Sequence, residues 1–136
     1  MIIKNQIMKK IFLVLFAFLG ISLTNYASNS GTCTVIGGNG ATVVVTVTNY
    51  YDDGNVDVSI SSDCDDYVNV SFTIRYTTYS TTSHSNSAPR TSQTFTKLAQ
   101  PNSDTPITVT LQDSFSKSTI LSKIEHVEVT GAKCQK

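Results

Sequence analysis

Apolar and polar residues alternate one by one through most of the chain beyond residue 40. Val43, Val45 and Val47 alternate with Val44, Thr46 and Thr48, and Val56, Val58 and Ile60 with Asp57 and Ser59. The longest run sets Val68, Val70, Phe72, Ile74 and Tyr76 against Asn69, Ser71, Thr73, Arg75 and Thr77. Ile107, Val109 and Leu111 flank Thr108 and Thr110, and Val127 and Val129 sit between His126, Glu128 and Thr130. A period of two places successive side chains on opposite faces of a strand. One apolar and one polar face per strand describes sheets that bury one side only, and two such sheets stacked face to face satisfy both. The pattern predicts an all-β antiparallel sandwich of about seven strands, with Val45, Val58, Val70, Phe72, Ile74, Val109 and Val127 sharing one core.

Turn residues separate the runs. Gly37-Gly38-Asn39-Gly40 divides a short first strand at 32–36 from the second, and Asp52-Asp53-Gly54-Asn55 divides the second from the third. Residues 61–66 part the third from the fourth, and Pro101-Asn102-Ser103-Asp104 precedes the strand at Ile107. Glycine supplies the positive φ that tight hairpins require. Residues 77–96 are mostly Ser and Thr with Pro89 among them; they read as an exposed hairpin or wandering edge, with a glycosylated or ligand-facing ridge as the functional alternative. Residues 114–121 have room for one helical turn, although Ser and Thr compete with helix formation.

The first residues follow another rule. Lys4, Lys9 and Lys10 precede an uncharged apolar run at 11–23, and Ala27 supplies the small residue a signal peptidase needs. Basic, apolar and small in that order is the secretory signal pattern. The apolar run, at 1.5 Å per residue, reaches roughly 20 Å and falls short of a ~30 Å hydrocarbon core. The expected organisation is a signal at 1–27, starting from Met1 or Met8, and a single domain at 28–136. Cys33 lies too far from the apolar run, behind Ser30-Gly31-Thr32, to form a lipoprotein box. The expected compartment is periplasmic or secreted, with cell-surface association as a variant, and no membrane span survives cleavage.

One passage carries a family likeness. Thr94-Phe95-Thr96-Lys97-Leu98-Ala99-Gln100-Pro101-Asn102, followed by the alternating Ile107–Leu111 stretch, resembles the strand–Leu–Pro–turn–strand passage of bacterial immunoglobulin-like and fibronectin-III-like modules. The pair of runs at 56–60 and 68–76 is similar to their central strands. The likeness extends over 42–130 and implies an immunoglobulin-like sandwich in which Leu98 plugs one end of the core. The core Trp common in those families has no counterpart, since the chain contains no Trp. Members of that family differ widely in role, so the likeness implies a fold and no activity.

Charge narrows the function classes. All ten acidic residues and seven of the ten basic ones follow Ala27, a net charge of −3 for the mature chain. Nothing basic is clustered, so nucleic acid is not an expected partner. Cys33, Cys64 and Cys134 remain after processing, which in an oxidising compartment means one disulfide and one spare thiol. Strand direction discriminates the pairs. An additional strand within 78–90 brings Cys33 to Cys134. A direct hairpin between 67–82 and 90–98 brings Cys64 to Cys134. The first pairing is preferred and the second is the alternative; Cys134 belongs to both, because a tether just past the last strand restrains an end that otherwise frays.

Six of the ten acids fall between Asp52 and Asp66. Asp53-x-Asn55-x-Asp57 spaces oxygen ligands as calcium loops do, but Gly54 is misplaced and no Glu closes the loop. The acid groups also flank one strand, which sends them to opposite ends. His84 and His126 have no partners at zinc-ligand spacing. No nucleophile elbow or phosphate loop is present. The expectation is no metal, no cofactor and no catalytic residue. Tyr50 and Tyr51 beside Asp52 and Asp53 form the best candidate binding spot, because Tyr offers an apolar face with a polar tip. The whole reading is an exported, non-enzymatic binding module whose partner is a protein or a glycan. The alternatives are a secreted inhibitor or toxin-neutralising protein and a small hydrolase with a loop-borne site.

Overall fold

The computed structural model describes residues 29–135. The expected signal segment lies outside the described residues. Among the described residues nine strands form, all in two antiparallel sheets: β1 (Ser30–Thr34), β2 (Thr42–Tyr50), β3 (Asn55–Ser62), β4 (Val68–Ser80), β5 (Ser85–Asn86), β6 (Arg90–Thr91), β7 (Phe95–Ala99), β8 (Ser103–Thr110) and β9 (Thr119–Cys134). One sheet has the order β1-β2-β3-β8. In the other, β4 is central: β9 covers one side along its length, and β7, β6 and β5 follow one another along the other. The chain crosses between sheets from β3 to β4, from β7 to β8 and from β8 to β9.

The expected core is the observed one. Val45, Val58, Val70, Phe72, Ile74, Val109 and Val127 are all buried in a single cluster. Phe72, central on β4, packs its ring against Phe95 on β7 with centroids 5.6 Å apart. Tyr76 also continues the inward face, and its hydroxyl reaches Asp113 at 3.2 Å.

The Ser/Thr-rich stretch is a wandering edge with a physical purpose. Only two short strands, β5 and β6, pair with β4 there. In the gaps serine hydroxyls take over from main-chain acceptors: Ser87 Oγ, between β5 and β6, accepts the Thr78 N–H at 3.0 Å, and Ser92 Oγ, between β6 and β7, accepts the Ile74 N–H at 3.4 Å. The edge donors of β4 thus stay satisfied without a continuous neighbour.

Two expectations are corrected. Leu98 does not plug the core; it is 45% exposed, while Phe95 and Ala99 on the same strand are buried. Phe95 sets the phase of β7, and a residue three positions on faces outward. The helical turn at 114–121 is absent, and β9 begins within it at Thr119. Leu121, Ile124 and Val127 are buried three residues apart, a spacing that reads as helical. Register shifts opposite Ser71/Phe72, Arg75/Tyr76 and Thr77/Thr78 insert extra residues into β9, and these bulges return each apolar side chain to the inner face.

The sheets also meet along one side. Ile36 donates its N–H to the Ala132 carbonyl at 2.8 Å and accepts the Cys134 N–H at 3.0 Å, a parallel contact just beyond β1.

Candidate functional site

At the end of the sandwich where β2 turns into β3, Tyr51 and its neighbours form a connected polar surface. The turn is closed by the Tyr51 N–H to Asn55 carbonyl bond at 2.9 Å and the Gly54 N–H to Tyr51 carbonyl bond at 3.0 Å. Gly54 sits at φ +90°, which explains the glycine. Tyr51 is 46% exposed, and its hydroxyl donates to Asp57 Oδ2 at 2.7 Å. Asn49 Nδ2 donates to the same hydroxyl at 3.3 Å. The other Asp57 oxygen accepts the Thr108 hydroxyl from β8 at 2.8 Å. Three strands therefore contribute to one row: Asn49 and the residue after β2, Asp57 on β3, and Thr108 on β8. The hydrogen bond to Asp57 and the charge of that carboxylate push the Tyr51 phenol above its ordinary value, so it stays a protonated donor. Beside the row lies an open hollow of about 540 Å³, lined by Thr48, Asp57, Val58, Ser59, Pro106, Ile107 and Thr108.

The four residues expected to form the binding spot do not act as one patch. Tyr50 turns its hydroxyl to the Ser122 carbonyl of β9 at 3.2 Å. Asp52 gives its backbone carbonyl to the Leu121 N–H at 3.1 Å. Asp53 holds Asn55 through its backbone N–H at 3.1 Å and its side-chain amide at 2.9 Å. Tyr51 joins the row through its side chain, where its partners are Asn49 and Asp57, and Asp57 in turn accepts from Thr108. Sequence reasoning noted Asp57 only as a calcium-loop position and did not single out Thr108. The signal that could have found them is the polar face of β3 and β8, where Asp57 and Thr108 fall opposite each other once the strands are registered.

The opposite end carries the second concentration of chemistry. Asp63, Cys64, Asp65 and Asp66, with the turn at 38–41, line a hollow of about 280 Å³. The Cys64 and Cys134 sulfurs approach to 3.9 Å, and Asp66 Oδ2 lies 3.6 Å from the Cys134 sulfur. Burial pushes the Cys134 thiol up, and the neighbouring Cys64 and the Asp66 carboxylate add to it. Cys33, half-buried on β1, directs its thiol to the Thr34 carbonyl at 3.3 Å. All three cysteines are free thiols here. The sulfur that meets Cys134 is thus that of Cys64 and not that of Cys33, because β5 and β6 run along β4 in the same sense as β7 and add no reversal of direction. Asp52 and Asp53 lie at one end of the sandwich, and Asp63, Asp65 and Asp66 at the other. No group of three metal-capable side chains is gathered among the described residues. His84 Nδ1 meets the Tyr79 hydroxyl at 3.3 Å, and His126 is exposed on β9.

Fold and surface together define the class: an all-β, two-sheet antiparallel sandwich with an open polar face. No protein-family model, curated protein or solved structure matches the chain.

Proposed function

We propose that this protein is an exported binding module that engages a glycan on the outer face of β2, β3 and β8, centred on Tyr51 and Asp57. The observation that carries the reading is the row Asn49–Tyr51–Asp57–Thr108 set along the rim of the open hollow. A half-exposed Tyr ring offers an apolar surface to the C–H face of a sugar. The surrounding carboxylate and the hydroxyls of Thr48, Ser59 and Thr108 supply acceptors and donors for sugar hydroxyls. The ring is held in place before a ligand arrives, which lowers the ordering cost of binding. Export rests on the basic, apolar and small order of residues 1–27.

The likeness to immunoglobulin-like modules is supported at the level of architecture: antiparallel sheets, strands that cross between them, and a single apolar core. The strand order departs from that of an immunoglobulin constant domain. There the second and third strands lie in different sheets, whereas β2 and β3 form a hairpin within one. The sandwich framework is shared, and the binding surface is this chain's own.

A glycan array probed with the exported protein tests the reading. Tyr51→Ala is expected to weaken the best glycan about tenfold or more, the scale of an aromatic anchor, with an unchanged circular dichroism spectrum. Retention of full binding by Tyr51→Ala, or an array without hits alongside specific capture of a protein partner, refutes it.

A further inference from the structure

We infer that Cys64 and Cys134 form the one disulfide of the mature protein, fastening the end of β9 to the β3–β4 turn and leaving Cys33 as a thiol. The two sulfurs already face each other at 3.9 Å in a buried setting. A disulfide needs about 2.0 Å, so side-chain rotation has roughly 2 Å to close. Both backbones are fixed around the pair. The Cys64 carbonyl accepts the Asn102 N–H at 3.0 Å, and its N–H donates to Ser62 Oγ at 3.2 Å. The Cys134 N–H donates to the Ile36 carbonyl at 3.0 Å, and the next residue, Gln135, donates to the Tyr67 carbonyl at 2.9 Å. The bridge spans 70 positions of sequence. It ties the turn that leads into β4 to the β9 residue that pairs with β4's first residue, Val68.

The chemistry is thiol–disulfide exchange with a disulfide oxidant, either a small molecule or an oxidoreductase. Cys64, which lines the open hollow, loses its proton to water and attacks one sulfur of the oxidant, whose other sulfur leaves as a thiol. Cys134 then loses its proton and attacks the Cys64 sulfur, and the second oxidant thiol departs. The protein gives up two protons and two electrons, and the oxidant becomes two thiols.

The experiment is peptide mapping of the exported chain, purified from an oxidising compartment and alkylated under denaturing, non-reducing conditions; a second sample is reduced and reoxidised with oxidised glutathione. The expected product links the peptides carrying Cys64 and Cys134, with Cys33 alkylated. Reductant should lower Tm by about 10–15 °C. Cys33→Ser should leave that drop intact, and Cys64→Ser or Cys134→Ser should abolish it. A linked peptide containing Cys33, or three alkylated cysteines in both samples, overturns the inference. Mapping of the unmutated chain decides the matter even if a variant fails to fold, and it is blind to glycan binding.

Discussion

Two hairpin glycines make a controlled comparison. Gly40 and Gly54 both hold left-handed backbone, at φ +85° and +90°. A methyl group at Gly40 would meet nothing within 4 Å, whereas one at Gly54 would lie 2.4 Å from Cε2 and 2.5 Å from Cδ2 of Phe115. Gly40→Ala therefore carries only the backbone cost of a left-handed alanine, about 1–2 kcal/mol. Gly54→Ala carries the same cost and a collision. Its relief takes one of two routes. The Phe115 ring can swing away from Tyr76, against which it lies tilted at a centroid distance of 6.3 Å. Otherwise the turn shifts and strains the bond from the Leu111 N–H to the Gly54 carbonyl, now 2.9 Å. Overpacking of this kind adds about 1–3 kcal/mol, for a total of about 2–5 kcal/mol.

At about 4 °C per kcal/mol for a domain of this size, Gly54→Ala should lower Tm by about 8–20 °C, against about 4–8 °C for Gly40→Ala. Any loss of unfolded-chain entropy on replacing glycine is common to both and cancels. Urea and thermal unfolding followed by circular dichroism measure the difference. Phe115→Ala completes a cycle: with the ring gone, Gly54→Ala should cost no more than Gly40→Ala, so the double variant loses less than the sum of the singles. Equal losses from the two glycine variants, or strict additivity in the cycle, refute the argument.

Phe72→Ala should cost about 3–5 kcal/mol, because the ring is wholly buried at the centre of β4 against Phe95; a loss below about 1 kcal/mol in urea unfolding would contradict the core as described. Burial alone would raise the Asp113 carboxyl, but the Arg90 side chain, the Ser114 N–H and the Tyr76 hydroxyl outweigh it and hold the group below its ordinary 3.8. A depressed folded value gives stability that is present above the unfolded pKa and lost as pH falls through the folded one. Asp113→Asn should accordingly flatten the decline in urea midpoint below about pH 4, and parallel pH profiles for the two proteins would show that the carboxylate contributes nothing.

How much of this was legible in the sequence depended on the regularity of each strand. On β3 one face meets the core along the whole length, and on β2 and β4 it does so from Val43 to Val47 and from Val68 to Tyr76, so alternation alone located Val45, Val58, Val70, Phe72 and Ile74. On β9 the bulges break the period, and a buried residue at every third position imitates a helix turn. On β7 the Leu98 expectation failed because a short strand has few positions from which to fix its phase, and Phe95 fixed it the other way. Local pattern identifies a strand and its faces; it does not record where an extra residue enters the ladder.

The functional chemistry was harder to read for a related reason: it is assembled by pairing between distant segments. Thr108 and Asp57 stand 51 positions apart and meet only because β3 and β8 are registered with Asp57 opposite Thr108. A one-residue slip of β8 against β3 would turn Thr108 inward, so the shared polar face is as much a product of the buried Val58 and Val109 as of any requirement of its own. The cysteines depend on direction in place of register. Whether the last strand ends beside Cys64 turns on how many times the chain reverses between β4 and β9, and that number is hidden in the Ser/Thr-rich edge. Because Ser87 and Ser92 satisfy β4 by side chain, that edge never needed a further full strand running the other way. The low-complexity segment with the least apparent chemistry therefore decides which thiols meet.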